Sequence, residues 1–140
     1  MTLPMRKAVA IISFFLLLTG CKKTVEKLKE NAVIDAMTEG QWVVTKFVKN
    51  GTTITSDFAD YKFQFHSNRT VDAFKNSTVE KTGTWDGDAG TMTTWASFVG
   101  AATPLDLING SWHIDNNSWT FVVATQTNSS GSKTMRLDKE

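Results

Sequence analysis

From Gln41 onward, hydrophobic and polar residues alternate along the chain, and turn-forming residues recur about every ten positions. A period of two places successive side chains on opposite faces of a strand, so that one face can be buried while the other meets water. The clearest case is the segment 59–66, where one face carries Ala59, Tyr61, Phe63 and Phe65 and the other carries Asp60, Lys62, Gln64 and His66. This pattern restricts the chain beyond residue 41 to an all-β fold of short antiparallel strands.

Polar segments rich in Asn, Asp, Ser and Gly predict the connections between strands, because these residues tolerate the positive φ of hairpin turns. The predicted connections include 66–69, 86–90, 116–117 and 128–131. The intervals between turns give eight predicted strands, at 41–49, 60–66, 70–75, 79–86, 91–97, 111–115, 118–126 and 133–139. The segment Phe98–Gly110 breaks the alternation with Pro104 and an apolar cluster, and we expect a loop or short helical turn that covers one end of the domain.

Eight short antiparallel strands can close into a barrel or stack as a sandwich. Closure is favoured because it leaves no exposed edge to pair with another chain. Before the strands, apolar residues at positions 25, 28, 32, 33, 36 and 37 have helical spacing, and Gly40 is a suitable terminator. We therefore predict a small antiparallel up-and-down β-barrel of about eight strands, preceded by a short N-terminal helix.

The N-terminus has the organisation of an export signal. Arg6 and Lys7 precede a hydrophobic run, Ala8 to Leu18, in which Ser13 is the one polar residue; as a helix the run would extend only about 16 Å and is too short to span a bilayer. The sequence Leu18-Thr19-Gly20-Cys21 that follows resembles the lipobox of bacterial lipoproteins. The resemblance implies cleavage before Cys21, acylation of Cys21, and a mature chain held in the bacterial cell envelope, in the outer membrane facing the periplasm.

The chain is thus expected to have three parts. Residues 1–20 form a cleaved lipoprotein signal peptide, residues 21–39 a lipidated cysteine with a short helical tether, and residues 40–140 the barrel domain. The segment 22–39 balances four basic against four acidic residues, so anionic headgroups attract it little. Its apolar stripe can pack on the domain, lie at the membrane surface, or contact a partner.

A second resemblance concerns the barrel. Gly40-Gln41-Trp42 opens the first strand after a short helix, as the Gly-x-Trp motif does in lipocalins. Arg136, in the final strand, matches by position the basic residue that packs over that tryptophan in the family. The domain resembles a small bacterial lipocalin-like lipoprotein over residues 34–139, and the resemblance implies that Trp42 and Arg136 form a structural closure of the barrel.

An eight-stranded barrel has an interior just large enough for side chains or for one small ligand. We expect a small hydrophobic or amphipathic ligand in or at the mouth of the barrel. The more apolar strand faces supply the candidate lining residues, which are Tyr61, Phe63, Phe65, Trp85, Trp112, Trp119 and Phe121. The alternative is an envelope interaction or inhibitor module with a side-chain-filled barrel, which would bind a protein partner through the loop Phe98–Gly110 and through Trp95, a residue out of phase with its apolar neighbours.

Other function classes have little support in the sequence. A formal charge of +1 provides no basic field for nucleic acid, and one cysteine with two histidines leaves little for a metal. Asp86-Gly87-Asp88 begins like a calcium loop but lacks the acidic ligand at the twelfth position, and a hairpin turn is the simpler interpretation. Catalytic elbows, zinc-binding helices and phosphate loops are absent from the sequence. We expect a monomer that is not an enzyme, with no cofactor and no metal.

Overall fold

The computed structural model describes residues 29–140. The predicted signal peptide at 1–20, the predicted lipidation site Cys21 and the first part of the tether, 22–28, lie outside the described residues. Helix α1 covers 29–38, and the chain leaves it through Gly40 at a φ of +75°, a conformation that glycine adopts without steric cost. Within 29–140, no helix combines the length and the apolar character needed to cross a membrane.

Nine strands and two 3₁₀ turns follow α1. The strands are β1 Trp42–Lys49, β2 Thr52–Thr53, β3 Tyr61–Phe65, β4 Thr70–Lys75, β5 Thr78–Asp88, β6 Thr93–Ser97, β7 Gly110–Asn117, β8 Phe121–Asn128 and β9 Gly131–Lys139. The 3₁₀ turns are η1 Thr55–Phe58, between β2 and β3, and η2 Leu105–Ile108, between β6 and β7. Strand β2 was not predicted and pairs with the end of β1, whereas the other eight strands begin and end within a few residues of their predicted bounds.

The eight longer strands form a closed ring. Each is antiparallel to its neighbours, and β1 pairs with β3 on one side and with β9 on the other. Trp42 lies opposite both Phe63 and Lys139, at the point where the ring closes. This closed up-and-down barrel with a short N-terminal helix confirms the predicted fold class, and it matches a lipocalin-like fold.

Two connections lie later in the chain than predicted. Strand β5 continues through most of the predicted turn 86–90 to Asp88, whose carboxylate accepts the backbone N–H of Gly90 at 2.8 Å and so initiates the turn. Strand β7 likewise includes the predicted turn residues 116–117, and the connection to β8 follows them. Trp119 therefore lies in that connection and not in a strand, so this part of the prediction is wrong.

The two ends of the barrel differ in what covers them. At one end, which we call the helix end, α1 lies beside the connections at 66–69, 89–92 and 118–120. At the other, which we call the closed end, η1 and η2 fold over the strands and place Phe58, Leu105 and Ile108 in the core. The segment predicted to cover one end, Phe98–Gly110, therefore does so through η2.

Candidate functional site

Aromatic side chains fill the closed end of the barrel. The ring of Phe47 stacks on that of Phe58 with centroids 4.7 Å apart, and Trp112 meets Phe47 edge-on at 6.1 Å. Phe47 and Phe58 are almost wholly buried, and η2 adds Leu105 and Ile108. Such dense aromatic packing leaves the closed end without room for a ligand.

Polar groups at the closed end are tied to the backbone. The ammonium of Lys133 donates to the carbonyl of Leu107 at 2.8 Å and lies 5.6 Å from the ring centre of Trp112. Burial lowers the pKa of Lys133, and the nearby charge of Lys49 lowers it further. The buried side-chain amide of Gln126 donates to two backbone carbonyls of the η2–β7 region. These contacts hold the 98–110 segment onto the barrel.

The helix end contains a cavity of about 110 Å³. Inward-facing side chains of the strands form its wall, and nearly all of them are apolar. They comprise Phe63, Phe65, Val71, Trp85, Ala96, Trp112, Ile114, Val122, Ala124, Met135 and Leu137. The few polar residues of the lining, Asp88, Thr94, Asn117 and Ser118, come mainly from strand ends and connections near the mouth. The barrel is thus solid at one end and hollow at the other.

Helix α1 covers the cavity with the side chains of Val33, Ala36 and Met37. Its C-terminal end is attached to the barrel by Trp42, whose indole N–H donates to the carbonyl of Met37 at 2.9 Å. Lys139 extends across the face of the same indole, with its ammonium 5.1 Å from the ring centre. The sequence left three alternatives for the apolar stripe of the tether: packing on the domain, lying at the membrane surface, or contacting a partner. The described part of the stripe packs on the domain.

Beside the cavity lies a polar recess of about 210 Å³. Glu30 and Ile34 of α1 border it on one side, and Arg69 and Asp86 border it on the other. The Nε of Arg69 donates to Asp86 Oδ1 at 3.0 Å, and its guanidinium lies 5.6 Å from the ring centre of Trp85. Residues Val33, Trp85, Gly87 and Ala89 line both the recess and the cavity, so the two spaces share a wall.

Four of the seven predicted lining residues, Phe63, Phe65, Trp85 and Trp112, line this cavity. Tyr61 is buried but packs between Phe58 and Phe63, outside the cavity, where its hydroxyl donates to Glu80 at 2.5 Å. Burial and the Glu80 carboxylate raise the pKa of this phenol to about 12.

The predicted lining role is wrong for Trp119 and Phe121. The connecting residue Trp119 is 55% exposed. Phe121 pairs with Asp138 on the outer face of β8, where the guanidinium of Arg136 covers its ring at 4.6 Å. The lining residues missed in β8 and β9 are Val122, Ala124, Met135 and Leu137. In β9, Met135 and Leu137 alternate with the charged Arg136 and Asp138, and this alternation was a signal that would have found the two β9 residues.

The predicted contact between Trp42 and Arg136 is also wrong. Trp42 is fully buried at the closure of the barrel, as expected of a closing residue. Arg136, however, lies on the outer face, where its guanidinium pairs with Asp138 at 2.8 Å. This pairing raises the pKa of Arg136 and lowers that of Asp138. Lys139, which lies directly opposite Trp42, occupies the position expected for the arginine.

The residues expected to carry a protein interface divide into two groups. Trp95 alternates with the inward Thr94 and Ala96 and is 41% exposed, as its phase in the strand predicted, and it also borders the cavity. In the loop Phe98–Gly110, Phe98, Leu105 and Ile108 are buried, and Val99 is its exposed large hydrophobic residue. Most of the loop's apolar surface therefore stabilises the closed end.

The two histidines are separate: His66 follows the end of β3, His113 lies in β7, and each has its own carboxylate neighbour. His66 Nε2 is 2.8 Å from Asp72, and His113 Nε2 is 4.0 Å from Asp115. The pKa of Asp72 is lowered, first by the hydroxyl of Thr82, which donates to it at 2.6 Å, and then by His66. Among residues 29–140, no three His, Cys, Asp or Glu side chains are grouped so as to hold a metal ion.

Comparison with known proteins supports the barrel fold and identifies neither a family nor a function. No protein-family model matches the chain, and no curated protein matches it significantly in sequence. In structure, the chain is similar to a DUF4847 family protein from Bacteroides vulgatus ATCC 8482, with a TM-score of 0.55 and 12% identity over 77% of this chain and 97% of that chain. At this level of identity the likeness concerns the barrel architecture alone.

Proposed function

We propose that this protein is a lipid-anchored envelope protein that holds a small hydrophobic or amphipathic ligand in the helix end of its barrel. The observation that carries the proposal is the apolar cavity of about 110 Å³ beneath α1, with a polar recess beside its wall. An alkyl chain entering such a cavity gains roughly 0.8 kcal/mol for each methylene removed from water. The proposed role requires binding and not catalysis.

The size of the cavity limits the ligand. An engineered apolar cavity of about 150 Å³ in another protein is known to accommodate benzene. A cavity of about 110 Å³ therefore suits a short alkyl chain or a small ring and not a full-length lipid. Longer amphiphiles would have to extend into the recess or displace α1. This consideration makes short-chain amphiphiles the first candidates.

The anchor is supported by the sequence. The lipobox-like segment ending at Cys21 would place acyl chains on the N-terminus, and two or more acyl chains hold a protein durably at a membrane. The tether would then lead from the membrane into α1, which covers the cavity. In this proposal the hollow end of the barrel is the end nearest the lipid, in the outer membrane facing the periplasm.

A titration with 1-octanol tests the proposed ligand site. The full chain, held in phosphatidylcholine nanodiscs, is titrated while tryptophan fluorescence is recorded, and empty nanodiscs correct for partitioning. Trp85 and Trp112 line the cavity, so occupancy is expected to change their emission. Ala124→Leu adds three carbons to the cavity wall and is expected to abolish the saturable change, because the new side chain occupies the space of the ligand.

The neighbouring residue offers a matched control. Val123 pairs with Arg136 on the outer face, so Val123→Leu enlarges a side chain outside the cavity and is expected to bind 1-octanol like the wild type. Retained binding by Ala124→Leu, or no saturable binding by the wild type, would show that this cavity is not a ligand site.

A protein-binding role is the second candidate, and exposed aromatic residues favour it. Trp95 and Trp119 expose 41% and 55% of their surfaces, and tryptophan is prominent among residues that dominate binding energy at interfaces. Photo-crosslinking from position 95 or 119 in intact cells tests this candidate. One envelope protein captured reproducibly, and lost when the tryptophan is replaced by serine, would support it, whereas diffuse labelling would count against it.

A further inference from the structure

The cavity and the recess together have the form of a site for a molecule with two chemically different ends. The cavity wall is almost wholly apolar, whereas Glu30, Arg69 and Asp86 are charged residues bordering the recess. Because Trp85 and Ala89 belong to both linings, a ligand of modest length can occupy both spaces. The charged side chains that border the recess are the groups that the head of such a molecule would meet.

The positive charge of the recess is already engaged. Arg69 donates from Nε to Asp86 Oδ1 at 3.0 Å and from Nη1 to the carbonyl of Ser67 at 2.9 Å. Its guanidinium also lies over the Trp85 ring. Arg69 and Asp86 therefore form a pair with no net charge, which offers little attraction to an anionic head group.

Among the described residues that line the two spaces, carboxylates outnumber positively charged groups. Glu30, on α1, is a second carboxylate of the recess, and Asp88, at the end of β5, borders the adjoining cavity. The Asp88 carboxylate accepts only backbone N–H groups, those of Gly90 and Thr91, within the described residues. Lys29 is next to Glu30 in sequence but lines neither space. Within 29–140, the linings of the two spaces thus contain three carboxylates and one guanidinium.

We propose that the site selects amphiphiles whose short alkyl tail carries a cationic amine head, the tail lying in the cavity and the ammonium beside Glu30 and Asp86. This inference rests on the proposed function, because it assigns a head group to the ligand of the same cavity. The carboxylates attract an ammonium through the partly enclosed recess, and they repel a carboxylate head of the same length.

Three probes with the same tail test the inference. Octylamine, 1-octanol and octanoate are titrated at pH 7 into the full chain in phosphatidylcholine nanodiscs, with empty nanodiscs as the reference. We expect octylamine to bind most tightly and octanoate least. Glu30→Gln is expected to weaken the binding of octylamine by about two- to fivefold, as for a partly exposed ion pair, and to change the binding of the uncharged 1-octanol much less. The preference for octylamine over octanoate is expected to decrease with added salt, because salt screens the carboxylate charges.

Lys29, next to Glu30 in the sequence, provides the control. The outcomes distinguish a failure of the cationic head group from a failure of the ligand site. Lys29→Gln removes a charge from the adjacent position outside the recess and is expected to leave the preference for octylamine intact. The proposed cationic head is wrong if octylamine binds no more tightly than 1-octanol, or if Glu30→Gln and Lys29→Gln change the affinity for octylamine equally. In either case, binding of 1-octanol would still support the ligand site. If none of the three probes binds saturably, the ligand site itself is wrong.

Discussion

Trp42 joins three parts of the molecule. Its side chain is fully buried, its indole N–H bonds to α1 through Met37, and its backbone pairs with both β3 and β9. Trp42→Ala is expected to lower the free energy of unfolding by about 3–5 kcal/mol, because a large packed side chain leaves a void. Trp95, which is 41% exposed, provides the comparison, and Trp95→Ala is expected to cost far less.

Urea unfolding of the two alanine variants measures this difference. Equal losses of stability would contradict the closing role of Trp42. A Trp42→Phe variant keeps one aromatic ring but loses the N–H donor and part of the indole volume, so its loss of stability sets an upper limit on the contribution of the bond to Met37.

Tyr61 is the one tyrosine of the chain, so its ionisation can be followed directly through phenolate absorbance. Burial, and next the hydrogen bond to Glu80, raise its pKa from 10.0 to about 12. A raised pKa means that the fold favours the protonated phenol. The contribution of the protonated phenol to the free energy of unfolding is therefore complete below pH 10 and is lost as the pH rises towards 12. We expect the folded protein to titrate near 12 and the urea-unfolded protein near 10.

Glu80→Gln separates the two causes of this shift. The variant removes the carboxylate but keeps the burial, so the pKa of Tyr61 is expected to fall only part of the way back to 10.0. Folded protein that titrates at the same pH as the unfolded chain would rule out the buried, hydrogen-bonded phenol.

The β8–β9 hairpin is tied to the end of β1 at the closed end. Asn50 donates its backbone N–H to the carbonyl of Ser132 at 2.8 Å, and its side chain accepts the N–H of Ser132 at 2.9 Å. Gly131 has a φ of +122°, and a Cβ there would collide with the Asn50 side chain. Gly131→Ala is therefore expected to destabilise the protein by more than about 1–2 kcal/mol, the cost of a strained backbone alone.

Gly51→Ala measures the cost of the strained backbone alone, without a side-chain collision. Gly51 has a φ of +79°, but no atom lies within 4 Å of the Cβ position. Gly51→Ala is expected to cost about 1 kcal/mol in urea unfolding, and a similar loss for Gly131→Ala would mean that the Asn50 contact does not constrain the hairpin.

The eight barrel strands could be predicted because most have a clear alternation of apolar and polar residues. Strand β3 is the best example, since Tyr61, Phe63 and Phe65 are all buried while Lys62 and Gln64 are not. Strand β8 is different, because Phe121 and Val123 make its outer face as apolar as its inner face. Alternation could not decide which face of β8 lines the barrel, and the prediction chose the wrong one.

The partner of Trp42 was predicted from position alone, and the register of β9 corrects it. Paired residues of antiparallel strands point to the same side, so the inward Trp42 requires an inward residue opposite it. Met135 and Leu137 point inward, and two-residue periodicity then places Lys139 inward and Arg136 outward. The cover provided by α1 depends on packing between distant parts of the chain, which local patterns do not contain.

For the whole molecule, the decisive test concerns the anchor. Cys21→Ser removes the thiol that would be acylated, and the protein is expected to leave the washed membrane fraction, because durable attachment requires acyl chains. Lys23→Ser, two residues away, is expected to remain with the membranes. Fractionation and mass spectrometry of the mature N-terminus measure the result. A Cys21→Ser protein that stays acylated and membrane-bound would refute the lipoprotein interpretation.

Substitutions in the solid and in the hollow half of the barrel have different effects. Truncating Phe47 or Phe58 in the solid half opens a void in tight packing, and this cost falls on the whole fold. In the hollow half the space is already there, so exchanging Val122 or Ala124 for another apolar residue mainly changes the shape of that space. Under the proposed function, apolar substitutions at the hollow end would therefore alter which ligand fits, whereas truncations at the solid end would lower the stability of the whole barrel.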